Sequence, residues 1–336
     1  MRIMQTIPRI GYSFVVFALG AVALAAQAPS TQQAPPPANQ ASPAAQQPPA
    51  VQQPPDPAAD ALRAGQQLMR DGKADEALAA YMQATEKFPE SVPARVRVGV
   101  QLDLMGRYAE ARTHFTRALA MPLTPALEAN ALRSMAMSYA FESNCKGAIP
   151  WESRLYERYL TKDKDFFMAG EIANELARVC IESGDLDTAA AWYKRGYEAG
   201  LQEPNISMAR KDLWAFRWYH AQARLAARRG NKAEAEKHVA AAKTALDTGT
   251  NPEQVPFYPY LVGYVAFYTG DYKSALAEFL KGNQTDPFIL SLIAQTHEKL
   301  GDQPAAMEYY TKVMASTAHN PTNAFARPLA RKKLGL

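Results

Sequence analysis

Six glycines in this chain share the same neighbours at the same distances, and that regularity limits the fold more than any other feature. Five residues after Gly72, Gly106, Gly184, Gly230, Gly270 and Gly301 stands an alanine: Ala77, Ala111, Ala189, Ala235, Ala275 and Ala306. Nine after stands a bulky apolar residue: Tyr81, Phe115, Tyr193, Val239, Phe279 and Tyr310. Twelve after stands a mostly small one: Ala84, Ala118, Gly196, Ala242, Gly282 and Val313. Seven before stands Gly or Ala: Gly65, Gly99, Ala177, Ala223, Gly263 and Ala294. A repeat of this kind means one supersecondary unit stacked on copies of itself, because a single unit cannot bury its apolar face alone.

The segments on both sides of each glycine have helical periodicity. The glycine ends the first helix and permits the turn. A polar residue often follows it, as at Asp185, Asn231, Asp271 and Asp302. Small residues seven before and five after let two antiparallel helices approach closely, and the large residue nine after fills the gap beyond them. The arrangement resembles the tetratricopeptide repeat, a helix-turn-helix unit of about 34 residues.

The first two glycines are 34 residues apart, and the later spacings are 78, 46, 40 and 31. The longest gap has room for one degenerate unit that lacks the turn glycine. Its first helix would carry Ala129, Leu132, Ala136 and Tyr139, and its second Ala148, Trp151, Leu155 and Tyr159. The other spacings predict a long helix near 207–229, a longer loop near 247–257, and a first helix about one turn short at 288–299. The resemblance implies an all-α, right-handed superhelical solenoid of about seven hairpins, near 58–91, 92–125, 126–163, 165–203, 207–249, 254–287 and 288–320. Residues 321–336 read as a C-terminal capping helix, since a solenoid needs a polar cap on its last face. Arg331, Lys332 and Lys333 suit the end of that helix; a basic docking tail is the alternative.

The N-terminal part has another character. Arg2 and Arg9 precede an uncharged, mostly apolar run over residues 10–26, which contains the small-residue pattern Ala23-Leu24-Ala25. This is the form of a secretory signal peptide cleaved after residue 25; an uncleaved anchor, the chain's one route to a membrane, is the alternative. No Cys lies near the end of the run, which argues against a lipoprotein anchor. Residues 26–57 are rich in Pro, Gln and Ala, with Asp56 their one charge. Such a stretch cannot bury a core and reads as a disordered or polyproline-like tether, reaching on the order of 90 Å at ~3.1 Å per residue. The expectation is an exported protein, periplasmic or secreted.

Composition excludes more than it proposes. With 37 Lys+Arg against 33 Asp+Glu, there is no general pull toward nucleic acid. Five His and two Cys leave little for a metal cluster, and no two His have metal-ligand spacing. His297 falls on a packing position, four before Gly301. No G-x-S-x-G, phosphate loop or dinucleotide fingerprint is present. The chain reads as non-enzymatic and free of cofactors. Cys145 and Cys180 fall near the same end of neighbouring hairpins and either form a disulfide or stay two separate thiols.

In repeats of this class the first helices line a concave groove that binds peptides. With core positions at seven and four before each glycine, the groove face falls at about 13, 10, 6 and 3 before it. That selects Asn174 and Arg178, then Arg217, His220 and Arg224 with Arg228 beside them, then Phe257, Tyr260, Tyr264 and Phe267. A basic row beside an aromatic row suits an acidic or aromatic peptide segment of a protein partner. Asn174, Arg178 and Arg217 loosely resemble the carboxylate clamps of some repeats, but the Lys and second Asn of that clamp are unmatched. The alternatives are a carbohydrate or peptidoglycan binder using the aromatic row, and an assembly subunit acting through its convex face.

Overall fold

The computed structural model describes residues 56–336, so the leader-like run and almost all of the Pro/Gln segment lie outside the described residues. Fifteen α-helices form seven antiparallel hairpins followed by one further helix, with no strand among the described residues. The hairpins are α1 (Ala59–Arg70) with α2 (Ala74–Lys87), α3 (Val92–Leu104) with α4 (Tyr108–Leu119), α5 (Pro125–Phe141) with α6 (Cys145–Glu157), and α7 (Phe166–Ser183) with α8 (Leu186–Gly200). They continue as α9 (Met208–Arg228) with α10 (Lys232–Asp247), α11 (Tyr258–Tyr268) with α12 (Tyr272–Phe279), and α13 (Pro287–Leu300) with α14 (Gln303–Met314); α15 is Pro321–Leu334. Each helix packs on its hairpin partner, and the second helix of each hairpin packs on the first helix of the next, which makes an all-α solenoid.

The local chemistry of the turns explains this order. All six repeat glycines have φ between +75° and +89°, the left-handed region a side chain disfavours. The residue after four of them starts the next helix: Asp185, Asn231, Asp271 and Asp302 each accept the amide three residues on. One Gly-Asp or Gly-Asn pair thus ends one helix and caps the next. The six alanines five after the glycines are fully buried. At Gly99 an added Cβ would lie 2.4 Å from the Phe115 ring, so the small residue seven before the turn is the seat of the aromatic nine after it.

The third hairpin departs from this pattern in a way the sequence conceals. Ser143 takes the glycine's place, with φ +52°. Counting from it, Ala136 and Ala148 fall on the small positions, and both are fully buried. The aromatic and small partners have changed places: a Cβ on Gly147, in α6, would meet Tyr139, in α5, at 2.3 Å. The position nine after, apolar elsewhere, holds Glu152, which is completely buried and has neither carboxylate oxygen hydrogen-bonded. Arg133, the nearby cation, is engaged by Glu175 in two hydrogen bonds.

Burial, and then the neighbouring Glu175 carboxylate, hold the Glu152 pKa well above its ordinary value. The folded chain therefore keeps this proton to a higher pH than the unfolded chain does. Stability that is present below the ordinary carboxylate pKa falls as pH rises through the raised folded value. Glu152→Met is expected to stabilise the protein by about 1–4 kcal/mol at pH 7. Glu152→Gln should flatten the fall in melting temperature between pH 5 and pH 8. Identical pH slopes for the wild type and Glu152→Gln would contradict this assignment.

Two expected irregularities fall where the spacing placed them, and one does not. The long helix is α9, and a 3-10 turn at Pro252–Phe257 occupies the longer connection before α11. The 31-residue spacing, however, does not come from a short first helix: α13 has 14 residues, whereas α12, the second helix of the preceding hairpin, has 8. The run Lys281-Gly282-Asn283 ends that hairpin early, and Asp286 starts α13 by accepting the Phe288 and Ile289 amides. Among the described residues no helix is long and apolar enough to cross a membrane.

Candidate functional site

The first helices of the hairpins build the inner wall of the solenoid. α1, α3 and α5 line a cavity of about 470 Å³, and α7, α9, α11 and α13 line a second of about 510 Å³. The chain's own C-terminal segment runs between them: residues 317–320 border the first and Thr322 borders the second. α15 covers α13 and α14 as a cap would, and it also reaches back across the wall to α5 and α7. His319 Nε2 lies 2.8 Å from the fully buried Asp103 carboxylate. Arg327 Nε donates to the Leu104 carbonyl at 2.7 Å, and its Nη1 donates to the carbonyls of Met314 and Ser316. Phe325 packs against Phe288 and under the Arg178 guanidinium.

The second cavity gathers seven of the ten residues selected from the sequence: Asn174, Arg178, Arg217, His220, Arg224, Phe257 and Tyr260. Phe257 stands half exposed at the end of the 3-10 turn. Arg217 pairs with Glu171, and burial lowers the Arg217 pKa from its ordinary value. The His220 ring stacks on Tyr260 at 5.6 Å. Burial, followed by the charges of Arg224 and Arg178, holds the His220 pKa well below its usual value, so the imidazole is neutral at pH 7.

The remaining three residues do not line it. Tyr264 is completely buried, and its hydroxyl donates to Glu182 Oε1 at 3.0 Å. Arg228 donates to Glu182 Oε2 at 3.1 Å and to the hydroxyls of Tyr264 and Tyr268. Phe267 packs against Phe279 and Tyr272. Glu182 lies on α7 and Tyr264 on α11, 82 residues later, so first helices two hairpins apart meet here. This close approach turns Arg228 and Tyr264 into packing between hairpins, whereas Phe267 packs inside its own hairpin, against α12. Arg224 is also buried, at 4% exposure, but it keeps an edge on the cavity.

Glu175, Phe216, Asp286 and Phe288 also line the cavity and were not selected from the sequence. Asp286 was within reach, since an Asp before a Pro at a helix start is a readable cap. Thr322 carried no such signal, because the return of the C-terminal segment is a tertiary event. Glu182 falls outside the four spacings that define the groove face. Cys145, at the start of α6, and Cys180, in α7, form a disulfide with Cα atoms 4.7 Å apart, joining the third hairpin to the fourth.

A tetratricopeptide-repeat family model matches residues 62–126, and a second matches 289–319. A search of curated proteins found no match. Among solved structures, a tetratricopeptide repeat protein from Parabacteroides merdae is 14% identical, with 76% of this chain and 91% of that chain covered and a TM-score of 0.46. PilW, a type IV pilus biogenesis factor, is 15% identical over 79% of this chain and 96% of its own, with a TM-score of 0.32. Yeast Tom70 is 14% identical over 76% of this chain and 75% of its own, with a TM-score of 0.30. Repeat models matching at both ends of a solenoid, six of whose seven hairpins share one packing rule, support a tetratricopeptide repeat protein.

Proposed function

We propose that this protein is a non-enzymatic interaction scaffold exported to the cell envelope, and that it holds a segment of a protein partner on the inner wall of its solenoid. The observation that carries this reading is the wall itself. It is built from seven first helices and stays open on both sides of α15, with the half-exposed Phe257 at the border of the second cavity and the exposed Val255 beside it. Solvent-facing aromatic and aliphatic groups next to the Arg217–Glu171 pair suit a segment with apolar and acidic side chains. Export is supported by the leader-like N-terminal run, by the Pro/Gln tether and by the disulfide, a bond that persists in oxidising compartments.

A sugar-stacking role keeps only Tyr260 of its three aromatics at the cavity, because Tyr264 is buried and Phe267 is nearly so. The test is a crosslinked pull-down of full-length protein from its own host, beside an Arg217→Ala/Phe257→Ala variant with an unchanged melting temperature. Arg224, Arg228 and Tyr264 are unsuitable for this purpose, since their removal would unmake the core. Loss of one envelope protein from the variant alone is the expected result. An identical set of partners with both proteins would refute the inner-wall reading and point to the convex face.

A further inference from the structure

The half-buried arginines of the inner wall fall into two groups. Arg133, Arg217 and Arg228 each have a carboxylate partner: Glu175, Glu171 and Glu182. Arg178 and Arg224 make no salt bridge among the described residues; Arg178 lies over the Phe325 ring, and Arg224 is the more deeply buried of the two. One Nη of Arg224 donates to the Tyr193 hydroxyl, and its Nε is buried without a hydrogen-bond partner. The Tyr260 hydroxyl is likewise buried without a partner. Both residues line the second cavity, and the neutral His220 stacked on Tyr260 lines it with them.

Leaving one guanidinium N–H and a hydroxyl unsatisfied in this way is costly, and an acceptor placed between them would remove the cost. The acids around the cavity are already occupied. Glu171 holds Arg217 and Glu175 holds Arg133, while Asp286 caps α13 through two amides and faces Arg178. Among the described residues no carboxylate forms a salt bridge with Arg224, and Glu182, whose charge acts on it, is held by Arg228 and Tyr264. The apolar part of the lining comes from Phe216, Phe257, Phe288 and the Tyr260 ring, and about 510 Å³ is the size of a small-molecule site.

We propose that this cavity binds an organic carboxylate with an apolar or aromatic body: Arg224, the Tyr260 hydroxyl and His220 take the carboxylate, and the ring of Tyr260 with Phe257 and Phe288 takes the body. The carboxylate has two sources of the same chemistry, a free small acid or the C-terminal carboxyl of a short peptide. The inference concerns the floor of the cavity and does not require a protein to dock at its rim.

The test is titration calorimetry on the purified full-length chain with 3-phenylpropionate, its amide, and a tripeptide ending in phenylalanine with a free or an amidated C-terminus. The acid, the free peptide or both should bind at least about tenfold more tightly than the matching amide. The tighter of the two names the source. Tyr260→Phe, which removes one oxygen, should weaken binding of the acid about tenfold while leaving the melting temperature close to wild type, and Arg224→Gln should abolish binding. If Arg224→Gln does not fold, the acid-against-amide comparison and Tyr260→Phe still decide. Equal binding of acid and amide, or no binding of either acid or peptide at millimolar concentration, overturns the proposal. Because no partner protein is present, such a failure leaves the pull-down result unaffected.

Discussion

Reduction of the Cys145–Cys180 bond, or its replacement in Cys145→Ala/Cys180→Ala, is expected to lower stability by about 2–4 kcal/mol. The bond closes a segment with a sequence separation of 35, which is long enough for a cross-link to restrict the unfolded chain appreciably. Its location adds to the effect. The third hairpin turns on Ser143 where the others turn on glycine, and it buries the unpaired Glu152 in a position that elsewhere holds an apolar side chain. Both features weaken that hairpin. The disulfide joins it to α7, which carries Arg178 and Asn174, so unfastening the third hairpin should loosen the second cavity. Denaturant unfolding with and without a reductant checks this. A change of less than about 0.5 kcal/mol, of the size seen for ordinary surface substitutions, would show that packing alone holds the hairpin.

The second large effect is expected from the residues that tie α15 across the inner wall. His319→Ala/Arg327→Ala should cost about 2–4 kcal/mol, because it leaves the Asp103 carboxylate, which has no exposure, with only the Ser138 hydroxyl, and frees three backbone carbonyls from the Arg327 guanidinium. The loss should be local as well as global. Amides in α15 should exchange with solvent much faster in the variant, and the end of α3 should follow, since Leu104 supplies one of the carbonyls. Unchanged exchange in α15 would mean that its packing on α13 and α14 is sufficient and that the contacts across the wall are incidental.

The repeat could be read so well from the sequence because its rules are local. Gly184 and Asp185, for example, specify a helix end and a helix start within two residues, and Gly99 with Phe115 specifies how two neighbouring helices pack. The candidate site was read less well because its geometry is not local. The four spacings before each glycine describe a face of one helix, whereas the approach of α7 to α11 decides which residues on that face remain open. Arg217 and Phe257 stay accessible, but Tyr264, on the same helix face as Tyr260, is taken up by Glu182. The placement of the 31-residue shortening in α12 was hidden for a different reason: a spacing between two turns does not say which of the two intervening helices is shorter.

The central claim is that the inner wall, at the mouth of the second cavity, is where a partner segment docks. A photoreactive amino acid placed at position 257 of the full-length chain tests it most directly, with one at position 82 as control, because Met82 is exposed on α2, a helix that lines neither cavity. Illumination in the native host should give one discrete adduct from position 257 and none from position 82. Adducts from position 82 with none from position 257 would contradict the claim and place the binding surface on the outer helices.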